Sequence, residues 1–146
     1  MKQKIRERIL KRQREPSTLA REVLAMREKI LAAHPNKSGH FDLKHDRGGM
    51  IDIEFAIQYL VLAHSLRHAE LTRNLGNIAL LGIASSLGLI PDALAEASRN
   101  AYREFRRLQH GLRLNGARFA RVPPEQVSGH ARAVRELWQE VFPASP

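Results

Sequence analysis

FDLKHDRGGMIDIEFAIQYLVL, residues 41–62, joins a charged run to the most apolar part of the chain. From Met50 onward, apolar residues recur at helical spacing. Ile53, Ile57, Leu60, Val61 and His64 make one face, and Ile51, Phe55, Leu62 and Leu66 nearly fill the other. A helix that is apolar all round belongs in the middle of a bundle. The pattern therefore predicts a central helix over residues 50–68.

The flanking sequence supplies partners for it. Leu19, Val23, Met26, Ile30 and Leu31 form the stripe of a helix that Ser17 or Thr18 caps and that runs to about Ala33. Before Pro16, residues 3–14 read as a basic amphipathic helix with Ile5, Ile9 and Leu10 as a thin stripe. That is too little apolar surface for a helix standing alone. A loop with Pro35, Asn36 and Gly39 as turn signals spans His34 to Gly48. Downstream, helices are predicted over Gly76–Leu87, ended by Gly88, over Asp92–Leu114, opened by Pro91, and over Gly129–Phe142. The last buries Val134, Leu137, Trp138 and Val141. No strand is predicted. The fold class is all-α, a helical bundle of about five to six helices. Residues 1–15 are set apart from residues 16–146, which form a single helical-bundle domain.

Composition narrows the function. The 146 residues contain no cysteine, so disulfides and thiolate metal sites are excluded. No apolar run reaches the roughly 18 residues of a membrane span, and no apolar core follows the basic N-terminus as in a secretion signal. A cytoplasmic location is expected. The net charge of +9 points to an anionic partner. Arg103, Arg106 and Arg107 form a basic surface on one predicted helix, suited to a nucleotide or an acidic protein. No aromatic RNA-binding motif or zinc-finger spacing is present, which argues against nucleic acid. A basic nucleic-acid- or protein-binding module stays as an alternative, distinguished by steeply salt-dependent binding to arbitrary DNA or RNA.

The glycine pair Gly48–Gly49 stands among Asp42, Asp46, Asp52 and Glu54. On a helix Asp52 and Glu54 lie about 200° apart, so they do not chelate one metal ion together. The glycines followed by Asp-x-Glu look superficially like a nucleotidyltransferase signature, but there the carboxylates follow some ten residues later, and the match is rejected. A helix start accounts for more. Its unpaired N–H groups and partial positive charge suit Asp46 before the glycines and Asp52 in the first turn. Asp46 and Glu54 are assigned to this structural helix start. The same end is a ready anion site, with Lys44, His45 and Arg47 supplying charge, Gly48 and Gly49 allowing close approach, and Asp52 beside them. Capping and ligand contact are compatible, and both readings stay open. His34, His40 and His45 with Asp42 fit no zinc-ligand spacing, so no metal site is assigned. His64 reads as a packed histidine, and Gln58 and Tyr59 as partners for polar groups of the loop.

Residues 41–62 closely resemble a segment of the bacterial glutamine synthetase adenylyltransferase family, whose members add AMP to glutamine synthetase and remove it. REPSTLAREVLAMREKI, residues 14–30, looks like the helix before that segment. AYREFRRLQHGLRL, residues 101–114, looks like the family's Tyr-x-x-x-Arg-Arg-x-x-His helix, and VPPEQ, residues 122–126, like the loop after it. A related helical region occurs in PII uridylyltransferases. The resemblance covers nearly the whole chain. It departs at Gln109, where the family often has glutamate, and in NGARFARVP, residues 115–123, which is shorter and less acidic.

The resemblance implies a helical domain that follows a nucleotidyltransferase domain, with residues 1–15 as the exit helix from that catalytic domain. The family's Gly-Ser-x-x-Asp-x-Asp signature is absent here, so the chain alone is expected to be non-catalytic and to need no cofactor. Mg²⁺ and ATP are expected to serve the whole enzyme, bound mainly by the other domain. Implied partners are that domain, glutamine synthetase and the PII signalling protein. The PASP ending suits the adenylylating half, with the N-terminal adenylyl-removing half as the alternative.

Overall fold

The computed structural model describes residues 16–72 and 75–143. Five α-helices occupy most of them: α1 (Pro16–Ala33), α2 (Met50–His64), α3 (Asn77–Ser86), α4 (Asp92–Leu114) and α5 (Ser128–Val141). The chain is an all-α bundle, as its periodicity predicts. The basic helix expected over residues 3–14 lies outside the described residues.

α2 is the hub. It packs against all four other helices, while α5 lies along α4, and α3 packs on α4 as well. Ile53, Leu81, Phe105, Val134 and Leu137 meet in the core with no exposed surface. This burial is the driving force for the bundle, at about 1.5–3 kcal/mol for each large apolar side chain. α3 ends where the pattern places its end. Gly88 takes φ +76°, and the Leu89 N–H returns to the Ala84 carbonyl at 2.9 Å.

Several expectations need correction. α2 stops at His64, not His68, because the Arg67 N–H bonds back only three residues to His64 and the chain tightens into a turn. A 3₁₀ turn, Ala69–Thr72, follows. α2 is also not covered all round: Phe55 and Leu62 are half-buried and Leu66 is 69% exposed. Ser17 and Thr18 lie inside α1 and do not cap it. A short antiparallel pair, β1 (Phe41–Asp42) with β2 (Arg121–Val122), joins the two long loops where no strand was predicted. Two residues are too few to show a period of two, and the pairing spans most of the chain.

Within α1 the stripe is rotated. Met26 is 53% exposed and Arg27 is fully buried. Leu19, Val23, Arg27 and Leu31 are each four apart and share the inward face. Gln58 is exposed and does not serve the loop. Tyr59 packs on Phe142, and its hydroxyl reaches the Pro16 carbonyl at 3.5 Å. His64 is half-buried at the end of α2, where burial, then His68 and Arg67, hold it below the ordinary histidine value.

Candidate functional site: a braced glycine loop beside a basic cleft

The loop before α2 uses up its own polar groups. The N–H of Gly49 donates to the Asp46 carbonyl at 2.9 Å, Met50 to Leu43 at 2.8 Å and Ile51 to Lys44 at 3.1 Å. The Gly48 N–H donates to the Asp52 carboxylate at 2.7 Å. These are the donors that an anion at the helix start would need. The anion-binding capacity expected at Gly48 and Gly49 is thus taken up by the loop itself.

Both glycines are fixed by contact. A Cβ on Gly49 would stand 2.7 Å from the Leu43 carbonyl oxygen and 2.9 Å from that of Asp46. Gly48 has φ +91°, and a Cβ there would stand 2.8 Å from the Ala131 carbonyl of α5. The loop is therefore pressed onto α5 with no room for a side chain.

Asp52 sits in the first turn of α2, but its field is set by a cation. Arg27 Nε donates to Asp52 Oδ1 at 2.5 Å, with side-chain exposures of 0% and 1%. Arg27 Nη2 donates to the His45 carbonyl at 2.7 Å. Its Nη1 is buried without a partner among the described residues. One guanidinium thus ties α1 to both ends of the loop. The sequence reading did not single out Arg27. Its signal was available: an acid inside an apolar helix needs a counter-charge, and Arg27 stands on the Leu19–Val23 stripe.

Asp42 and Asp46 hold the rest. Asp46 Oδ2 accepts the Asn36 amide at 2.9 Å and the Asp42 N–H at 3.0 Å, so its side chain braces the loop and not the helix start. Asp42 Oδ1 accepts the N–H groups of Lys44 at 3.0 Å and His45 at 2.8 Å. Asp42 Oδ2 accepts Arg121 Nε at 3.2 Å. Burial pushes the Asp42 carboxyl up, but these donors and the His45 charge outweigh it and hold it below the ordinary 3.8. Glu54 lies farther along α2 than a helix start and accepts the Tyr102 hydroxyl of α4 at 3.1 Å.

On the outside of this framework lies a cleft of about 560 Å³. The end of α1 and the loop form one wall, with His34, Asp42, Lys44 and His45. The end of α4 and the loop to β2 form the other, with Gln109, Arg113, Arg118 and Arg121. The His34 and His45 rings stack at 4.0 Å. Burial lowers the His45 pKa; the nearby Asp42 opposes this and His34 adds to it. Arg121 lies 4.0 Å and Arg118 5.2 Å from the centre of the Phe119 ring.

The expected site residues thus divide. Lys44 and His45 line the cleft. Arg47 points elsewhere, paired with Glu28 of α1. Gly48, Gly49 and Asp52 are buried beneath. Arg103, Arg106 and Arg107 lie exposed on α4 and do not line the cleft. Arg107 pairs with Glu104 of its own helix, and Arg106 stands 6.0 Å over the Tyr102 ring. Among the described residues no group of three or more histidines or acids is placed to hold a metal ion. No helix among them is long and apolar enough to cross a membrane.

Comparison with known proteins adds the family. A profile described as GlnD PII-uridylyltransferase matches residues 24–141. The chain is 55% identical over 140 residues to the bifunctional glutamine synthetase adenylyltransferase/adenylyl-removing enzyme of Burkholderia pseudomallei, covering 96% of this chain and 15% of that protein. The enzyme of the same name from Bordetella bronchiseptica is also 55% identical, with the same coverage. That of Nitrosomonas europaea is 46% identical over 156 residues, covering 97% of this chain and 17% of its own. The chain spans about 15% of the length of the first two of these relatives. It belongs to the GlnD PII-uridylyltransferase family and, across nearly its whole length, is similar to one segment of the bifunctional glutamine synthetase adenylyltransferase/adenylyl-removing enzymes.

Proposed function

We propose that this chain is the helical domain of an enzyme that transfers AMP from ATP to a tyrosine of glutamine synthetase, and that its 41–52 loop walls the active site of a neighbouring nucleotidyltransferase domain. The observation that carries this reading is the rigidity of the loop. The N–H groups of residues 42–46 and 48–51 are spent, its glycines are pressed onto backbone, and a buried ion pair locks it to α1. Lys44, His45 and Arg47 therefore project from a fixed platform, as positioning groups require.

The chemistry would be shared between domains. Mg²⁺ and ATP would be bound mainly by the other domain, where the metal offsets phosphate charge while the tyrosine hydroxyl attacks the α-phosphorus. This chain would hold the wall, exclude water and place cations. The exposed Arg103, Arg106 and Arg107 suit an acidic partner, either glutamine synthetase or the PII protein. A cytoplasmic location follows from such partners. The names of the relatives include adenylyl removal as well as transfer, so the adenylyl-removing half is the second reading.

The test is AMP incorporation into glutamine synthetase by the longer enzyme carrying Lys44→Ala with Arg47→Ala. Both side chains are exposed, so melting should be unchanged. A fall of about tenfold or more is expected for lost positioning. Full activity with normal melting would refute the active-site wall. Loss of AMP release from adenylylated glutamine synthetase, with transfer intact, would assign the domain to the removing half.

A further inference from the structure

The basic cleft is a separate surface from the helix start beneath it, and its charges do not balance. Lys44, Arg113, Arg118 and Arg121 line it against a single carboxylate, Asp42. That carboxylate is already engaged by two backbone N–H groups and by Arg121. Lys44, Arg113 and Arg118 have no carboxylate partner among the described residues. Phe119 holds the Arg118 and Arg121 guanidiniums against one ring, which sets like charges side by side.

Other basic surfaces of the chain differ. Along α4, Arg99 and Arg107 each meet a glutamate three residues before them, and Arg132 of α5 meets Glu136. Those pairs answer charge locally; Arg103 and Arg106 have no carboxylate partner among the described residues, but they lie exposed along one helix, outside the cleft. In the cleft the unanswered cations converge from two walls on a space of about 560 Å³. That volume lies within the roughly 300–1,000 Å³ of small-ligand sites. Ala33, Pro35 and Leu112 add an apolar strip beside the charges.

We propose that this cleft binds the phosphate chain of a nucleoside triphosphate, between Lys44 on one wall and Arg113, Arg118 and Arg121 on the other. Four cations against one carboxylate leave three positive charges for the ligand to meet. Arginine forks suit phosphate oxygens in two-bond geometry. Concavity favours a small polyanion over an acidic protein surface, which needs a broad, flat contact. The stacked imidazoles of His34 and His45 form the rim and report occupancy. The proposal rests on the reading that this loop borders the path of a nucleotide, and names the groups of this chain that would meet its phosphates beside those of the other domain.

The experiment is calorimetric titration of the 146-residue chain with sodium tripolyphosphate, ATP and adenosine, with imidazole NMR signals followed in parallel. Arg113→Ser/Arg118→Ser is compared with Arg103→Ser/Arg106→Ser, which removes the same charge outside the cleft. Tripolyphosphate and ATP should each bind at one site and shift the His34 and His45 signals, and adenosine should not. The cleft pair should weaken binding by about tenfold or more, and the control pair by about twofold or less. Absence of one-site binding by tripolyphosphate would overturn the proposal. Equal weakening by both pairs would also do so, since the attraction would then be diffuse. So would displacement of tripolyphosphate by an equimolar oligoglutamate peptide, which would make the cleft an acidic-peptide site. This outcome is separable from the active-site reading: loss of AMP transfer in the Lys44→Ala/Arg47→Ala enzyme would stand even if the cleft bound no phosphate.

Discussion

Removing one half of the Arg27–Asp52 pair should cost the domain a large part of its stability. In Arg27→Met, the Asp52 carboxylate stays buried at 1% exposure with the Gly48 N–H as its remaining donor. The His45 carbonyl also loses its donor. Breaking a buried pair from one side costs about 3–5 kcal/mol. A domain of this size has roughly 5–15 kcal/mol in all. At about 2–4 °C per kcal/mol, the melting temperature should drop by roughly 6–20 °C. Asp52→Asn keeps an acceptor for Gly48 but strands the guanidinium, and should cost about 3–5 kcal/mol as well. The double variant removes both charges and leaves the His45 carbonyl short of one bond, at about 1–3 kcal/mol. The singles should therefore be strongly non-additive, with a coupling of about 3 kcal/mol or more. Urea denaturation followed by helical circular dichroism measures all four corners of the cycle. Singles that cost under about 1 kcal/mol and simply add, as exposed pairs do, would refute the assignment of this pair as the lock of the loop.

Three further outcomes are expected. Gly49→Ala should destabilise far more than Gly88→Ala: a Cβ at Gly49 meets two carbonyl oxygens under 3 Å away, whereas at Gly88 it meets open space and pays only the left-handed penalty of about 1–2 kcal/mol. Equal losses in thermal denaturation would contradict the close packing of the loop. Tyr102→Phe removes a hydroxyl that donates to Glu54 and accepts from Asn77, and should cost about 1–3 kcal/mol by urea titration without loss of helix. Stability should also fall with acid in two stages. His45 and His64 are held below the ordinary 6.5, mainly by burial, so their contribution is full above that value and is lost as pH falls through it toward their folded values. Asp42, held below 3.8 by its donors, contributes stability that is lost only as pH falls through its folded value. Urea midpoints between about pH 8 and pH 5 should decline, and His45→Gln should flatten part of that slope; a level profile in the unaltered chain would be the contrary result.

Much of the fold was legible because helical periodicity is local. The end of α3 and the start of α4 follow from Gly88 and Pro91, and the core residues of α5 from the spacing of Val134, Leu137 and Trp138. The rest depended on contacts between distant segments. Arg27 looks like a surface charge until Asp52 is brought to it from α2. The β1–β2 pair requires Asp42 to meet Arg121 across the bundle, and its two-residue strands leave no pattern to read. Lys44 and His45 were legible as candidate residues from the glycine loop, and both line the cleft. Arg118 and Arg121 were not, since only that strand pairing folds their loop opposite Lys44. The helix start misled for a physical reason: free N–H groups were expected there, and the carbonyls of Leu43, Lys44 and Asp46 satisfy them.

The central claim is that the 41–52 loop faces a nucleotidyltransferase domain. Amide hydrogen exchange tests it directly, comparing this 146-residue chain with the longer enzyme that contains both domains. The account predicts exchange slowed by about tenfold or more at residues 44–48 in the longer enzyme, with the far end of α3 unchanged. Identical exchange at residues 44–48 in both, with slowing confined to another face of the bundle, would contradict it.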